Sequence, residues 1–287
     1  MSWLIILPII AAIASGGGLV IEKVVLKTRK VGPRLYQTAG FLAIILIMIP
    51  FIFFFWKLDP AALSLTNILI MLAVVAGSVI ANVFVFYSLK WEKVSHIEPA
   101  RLLEPLFVIL LAIGFSYLFG ETLFERNTAV IIPAIIASLA LVASHIKKHH
   151  LEFNKYFIAA ILGSLFFALE LVVSRLILDF YSPMSFYFIR SFLVLLVSYL
   201  IFRPNFNRLP KKARWEILAA GAIWIVFRVL MYYGYIELGV IFTTLMLMLG
   251  PIFIYLFAWK FLGEKPGWRN LGAAVVIIAA VLYAVLA

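Results

Sequence analysis

The feature that constrains this chain most is its succession of apolar runs, each about as long as a lipid bilayer is thick. Ten can be marked, roughly 2–22, 34–56, 65–89, 94–119, 127–145, 154–178, 183–203, 213–236, 239–262 and 268–286. A spanning helix needs about 20 residues, and no run alternates as a half-buried strand would. Lipid offers the backbone no hydrogen-bond partners, which leaves helices or a closed barrel, and the run length selects helices. Composition agrees: 66% of the 287 residues are hydrophobic and 13% charged, with mean hydropathy +1.13. A soluble domain is nearer half apolar and a quarter charged. The sequence therefore predicts an all-α integral membrane protein of ten transmembrane helices. The first run has no basic residue ahead of it and leads into "EKVVLKTRK", so it reads as a spanning helix and not as a cleaved leader.

The formal charge of +11 lies mostly in the short links between runs. This is the pattern of topology determinants at a membrane surface, not of a nucleic-acid footprint. The links after the first, third, fifth, seventh and ninth runs carry nearly all the Lys and Arg. The positive-inside rule puts those links in the cytoplasm of a plasma (inner) membrane and both termini outside. The chain has no cysteine, which excludes disulfides, thiolate metal sites and cysteine nucleophiles. "SGGG" (15–18) lies within the first run, where glycines permit close helix packing. No nucleotide-binding motif is present, so neither ATP nor another cofactor is expected. His145 and His149 in "HIKKHH" stand four apart but lack a third ligand nearby. They read as solvated surface and not as a metal pair.

The chain also repeats itself. "FGETLFERN" (119–127) matches "LGEKPGWRN" (262–270), and "FYSLKWEKVSHIEPARLLEP" (86–105) lies over "YYGYIELGVIFTTLMLMLGP" (232–251) without a gap. "GPRLYQTAG" (32–40) mirrors "SPMSFYFIR" (182–190), with Gly40 where Arg190 stands. Two five-helix repeats follow, 1–147 and 152–287, joined by the polar "HIKKHHLEFNK". Five is odd, so the second repeat enters the membrane in the opposite sense. Inverted repeats are common in secondary transporters, whose substrate site lies near the midplane between the halves.

Each half has a proline early in its fourth helix, then Gly-Glu, then a fifth helix containing Asn. The residues are Glu104-Pro105 with Gly120-Glu121, and Pro251 with Gly263-Glu264; Pro183 is followed by Arg190. In these motifs the chain resembles the EamA-type family of the drug/metabolite transporter superfamily. The resemblance implies a secondary carrier for small metabolites, with a central cavity lined by helices 1, 3, 4, 6, 8 and 9. It implies a small-molecule solute and membrane lipid as partners, no nucleic acid or nucleotide, no enzymatic activity, and a monomer or homodimer. Two features depart from the family pattern. Pro105 to Glu121 spans sixteen residues against thirteen from Pro251 to Glu264, and Glu98 and Arg101 are additions.

The charges inside the runs are the candidate site. Ser95 and Glu98 have the spacing of a capping box at the start of the fourth helix. Arg101 and Glu104 follow at steps of three on the same face, where neighbours can pair. At about 1.5 Å per residue, Glu98 lies roughly 6 Å into the helix and Glu104 roughly 15 Å, near the midplane. A charge at that depth costs at least about 2.5–3.5 kcal/mol and needs a cavity, a partner or a proton. Glu104 is thus the proton-coupling candidate, the alternative being a permanent ion pair with Arg101 or Arg228. Trp224, Arg228 and Tyr232, spaced by four, make a polar-aromatic stripe whose repeat partners are Ser78, Asn82 and Phe86. Asn82, Arg101, Glu104, Trp224, Arg228 and Tyr232 are the expected substrate contacts. Arg228 also admits a purely structural role, paired with Glu104. Glu170 and Arg190 read as a structural pair. Glu22, the repeat counterpart of Glu170, sits at the end of its run beside Lys23 and reads as solvated. The set suits a zwitterionic solute such as an amino acid. An organic cation held over Trp224 and Tyr232, or a lipid-handling role, is the alternative.

Overall fold

The computed structural model describes residues 4–28, 30–92, 94–121, 123–146, 154–254, 256 and 267–287, without the side chains of 94–96. All regular structure among these residues is helical, apart from an isolated bridge between Leu58 and Tyr181. We label the helices α1 (Ile6–Lys27), α2 (Pro33–Phe55), α3 (Leu65–Trp91), α4 (Val94–Arg101), α5 (Leu103–Phe119), α6 (Thr128–His145), α7 (Lys155–Arg175), α8 (Pro183–Phe202), α9 (Lys211–Glu237), α10 (Val240–Leu247) and α11 (Trp268–Leu286). Nine segments among the described residues are long and apolar enough to cross a membrane, α4 and α5 jointly supplying Ile97–Phe119. The ninth run of the sequence is a shorter apolar helix, Val240–Ile254, over the part described. The rest of that run, with Gly263 and Glu264, lies outside the described residues. The chain is a multi-pass membrane protein.

The helix starts follow from side chains that satisfy the unpaired first N–H groups. Asn154 accepts from Tyr156 and Phe157, Asn127 from Ala129, and Ser182 from Ser185. Pro33 and Pro183 occupy first turns, where a missing N–H costs nothing. Pro50 and Pro133 stand inside continuous α2 and α6, but two other prolines coincide with helix ends. Pro105 has no N–H to offer the Arg101 carbonyl four residues back, and the helix breaks between Arg101 and Leu103. The freed Arg101 carbonyl accepts from the Ser164 hydroxyl of α7 at 3.4 Å. Pro251 stands in the same relation to Leu247, where α10 ends.

The helices pack in pairs: α1 on α9, α3 on α7, α2 on α8, α6 on α11, and α5 on both α7 and α10. Small residues set the spacing. A Cβ added to Gly163 of α7 would lie 2.6 Å from Val85 of α3, and one added to Gly18 of α1 would lie 3.0 Å from Trp224 of α9. Lysines lock the α1 and α3 ends together. Lys90 donates to the Leu26, Thr28 and Val31 carbonyls at 2.7–2.9 Å, and Lys23 donates to those of Leu89 and Glu92. Each thus satisfies the orphan carbonyls of the other helix's C-terminus. At the other end of the bundle the link after α2 pairs with the link before α8, through Asp59 N to Phe180 O at 2.8 Å and Ser182 N to Lys57 O at 3.2 Å.

Candidate functional site

A cavity of ≈ 240 Å³ lies at the centre of the bundle. It is lined from α1 (Ser15, Leu19, Glu22), α2 (Tyr36, Gly40), α3 (Asn82, Phe86), α4 and α5 (Glu98, Arg101, Glu104), α8 (Tyr187, Arg190) and α9 (Trp224, Arg228, Tyr235). Charge this deep in a bundle survives only when it faces a cavity, a partner or water, and here cavity-facing and partnered charges both occur.

The partnered charges form one network. Glu170 on α7 has a fully buried side chain, and its Oε1 lies 2.8 Å from Arg190 Nε of α8. Its Oε2 lies 3.7 Å from Arg228 Nη1 of α9. The hydroxyls of Tyr232 and Ser174 donate to Glu170 Oε1, each at 3.4 Å. Arg190 Nη2 donates to Ser78 Oγ at 2.7 Å, and Asn82 Nδ2 donates to the Ser78 carbonyl at 2.7 Å. The Arg228 guanidinium also lies 5.4 Å from the Phe167 ring and 5.6 Å from the Phe227 ring, within cation–π range. Arg228 therefore takes Glu170 as its ion-pair partner, not Glu104. Two guanidinium groups share one carboxylate, which leaves this network with a net positive charge facing the cavity.

The second group is less paired. Glu104, Arg101 and Glu22 all line the cavity. Arg228 and Arg101 both act electrostatically on Glu104 and on Glu22, and the buried Nη1 of Arg101 makes no hydrogen bond among the described residues. Glu98 also lines the cavity, and its Oε1 is 3.9 Å from His145 Nε2. The Ser95 side chain lies outside the described residues, and the helix begins at Val94.

Three expectations change. Tyr232 does not line the cavity; it is buried with its hydroxyl on Glu170. Steps of four over-rotate a helix by about 40° each, so 224-228-232 drifts off the face that 224-228-231-235 keeps, and Tyr235 takes the lining position. Glu22 is 5% exposed and not solvated, because α1 continues to Lys27. His145 is 9% exposed, in the last turn of α6, and not part of a solvated surface; His149 lies outside the described residues. Sequence reasoning missed Glu22, Tyr36, Tyr187 and Tyr235. For Glu22 a signal existed: Ser15, Leu19 and Glu22 share one helical face.

Residues 154–286 match the model of the EamA-like transporter family, which belongs to the drug/metabolite transporter superfamily. The matched segment contributes Arg190, Trp224, Arg228 and Tyr235 to the cavity, and its Glu170 pairs with two of them, Arg190 and Arg228. The chain is also similar to a solved crystal structure, with a TM-score of 0.71 and 16% identity over 99% of this chain and 97% of the other. At that identity the likeness is one of fold, and it extends to the half before residue 154. No curated protein matches the chain.

Proposed function

We propose that the chain is a secondary transporter that moves a small polar, zwitterionic metabolite by alternating access between two inverted five-helix repeats. The carrying observation is the central cavity, built from both halves and lined by opposed fixed charges. Its wall carries the carboxylates of Glu22 and Glu104 together with the guanidiniums of Arg101, Arg190 and Arg228, the last two over-supplied relative to Glu170. A solute with both an ammonium and a carboxylate matches that mixture of charges. The packing pairs support the repeat. Exchanging the halves turns α1–α9 into α7–α3 and maps α2–α8 and α6–α11 onto themselves, and all four contacts are present. The helix breaks before Pro105 and Pro251 are equivalent as well. Such interrupted helices at a repeat interface supply the half-helix ends that transporter sites use.

Glu104 is the coupling residue in this reading. It faces the cavity without an ion pair within 4 Å among the described residues, so its charge can change during the cycle. The test uses proteoliposomes with an imposed proton gradient and a labelled zwitterionic amino acid. Wild type should accumulate it, whereas Glu104→Gln should lose gradient-driven accumulation and retain solute exchange. Undiminished accumulation by Glu104→Gln would remove Glu104 from coupling.

A further inference from the structure

The two repeat-related carboxylates, Glu22 and Glu170, are both buried, yet their surroundings differ in one consistent way. Four side chains surround the Glu170 carboxylate: Arg190 and Arg228 as ion-pair partners, Tyr232 and Ser174 as hydroxyl donors. Under the alignment of the halves, their counterparts around Glu22 are Gly40, Asn82, Phe86 and Leu26. None carries a cation, and Asn82 is turned to Ser78. The correspondence is visible in the rings. Tyr36 and Phe86 meet edge to face at 4.9 Å and 88°, and their counterparts Phe186 and Tyr232 meet at 5.0 Å and 85°. The hydroxyl has moved from one member of the pair to the other.

Glu170 is thus neutralised by built-in guanidiniums, and Glu22 is not. Glu22 makes no ion pair within 4 Å among the described residues; the charges that act on it are Arg101 and, more weakly, Arg228, and Tyr36 and Trp224 line the same cavity. The counterpart of Arg190 is Gly40, which lines the cavity. A Cβ built there meets nothing within 4 Å. The space that a guanidinium fills in one half is open cavity in the other.

We propose that Glu22, with Tyr36 and Trp224, is a cation subsite, and that the ammonium or guanidinium group of the solute occupies the position that Arg190 takes beside Glu170. This rests on the transporter and repeat reading above and names the solute's chemistry: it carries an organic cation. A buried carboxylate takes a counter-charge or a proton, and an aromatic wall adds cation–π attraction that favours the cation. The solute's own charge supplies both needs and makes occupancy depend on a cationic group.

The test is equilibrium binding to purified protein in detergent, with phenethylamine and 3-phenylpropionate as probes that share a skeleton and differ in charge. Wild type should bind phenethylamine saturably. Glu22→Gln removes the carboxylate's charge at nearly constant shape, and Gly40→Arg supplies a built-in guanidinium that fills the subsite. Each should weaken phenethylamine by at least about tenfold, the scale of losing a buried charge partner. Neither should weaken 3-phenylpropionate. Thermal unfolding checks the Gly40→Arg fold: it should melt higher alone than in combination with Glu22→Gln, because the introduced guanidinium then loses its carboxylate. Phenethylamine binding that is absent from wild type, or unchanged within about twofold in Glu22→Gln, overturns the proposal. Because this assay reads binding in detergent, transport in proteoliposomes stands or falls separately.

Discussion

Two guanidiniums converge on the Glu170 carboxylate, so its loss leaves two buried cations without a counter-charge. Breaking a buried pair in this way costs about 3–5 kcal/mol, and Glu170→Gln should show that loss in thermal or denaturant unfolding in detergent. Glu121 is the contrast. It pairs with Arg126 at 2.9 Å with side chains 64% and 35% exposed, and Glu121→Gln should cost no more than about 1 kcal/mol. The same distinction explains which site residues the sequence disclosed. Arg101, Glu104 and Asn82 stood deep inside apolar runs, where a polar group has few options, so depth alone marked them. Glu22 escaped because hydropathy ended its run at the first charge, while the α1 backbone continued to Lys27 and kept the carboxylate inside the bundle. Tyr232 was misplaced by a periodicity of four, close to 3.6 but different enough over two turns to leave the cavity face.

At the scale of the helix, α10 shows how a short element is held. Its N-terminal Val240 and Phe242 N–H groups donate to the two Glu125 oxygens at 2.9 and 2.8 Å, from the link between α5 and α6. Gly239 makes room with φ +89°, since a Cβ there would lie 2.6 Å from that carboxyl. Burial pushes the Glu125 carboxyl up, against the opposing pull of those N–H groups. A raised carboxyl binds its proton more tightly folded than unfolded, so acidification from neutral toward the ordinary carboxylate range stabilises the fold at this position. Wild type should therefore gain stability relative to Glu125→Gln as pH is lowered through that window. Tm measured for both proteins across the range decides it, and the opposite slope contradicts it. Between α3 and α7 the contact is set by Gly163, and Gly163→Val should cost about 1–3 kcal/mol through overpacking against Val85. A free carbonyl one turn before Pro105 was legible in the sequence, since proline has no N–H; the break there was not, as the run 94–119 read as one helix and Pro50 and Pro133 leave theirs continuous. That Ser164 of α7 donates to that carbonyl was not legible either, because it depends on how α4 and α7 pack.

At the scale of the molecule, run length and hydropathy made the helical membrane fold legible, and internal similarity suggested how its halves relate. What sequence lacked was the partition of charge: formal counting found three arginines and several carboxylates, and only the packing of α7, α8 and α9 reveals that Glu170 takes two of those arginines. Contacts between links bear on topology. Lys90 joins the α1 and α3 ends, Asn154 reaches Glu92, and Arg269 reaches the Ile146 carbonyl, so these links share one end of the bundle. Those links are the basic ones, and a cysteine placed in the 203–214 link should resist an impermeant thiol reagent in intact cells, whereas cysteines at the termini should react. Labelling of the 203–214 link alone would invert the topology.

The central claim is that one cavity serves both faces of the membrane in turn. The chain holds no native cysteine, so Asn82→Cys places a single thiol on the cavity wall. The decisive measurement is its labelling by an impermeant thiol reagent in right-side-out and inside-out vesicles. The account predicts reaction from both sides, slowed in both by a transported solute. Reaction from only one side, or rates that no transported solute alters, would contradict it.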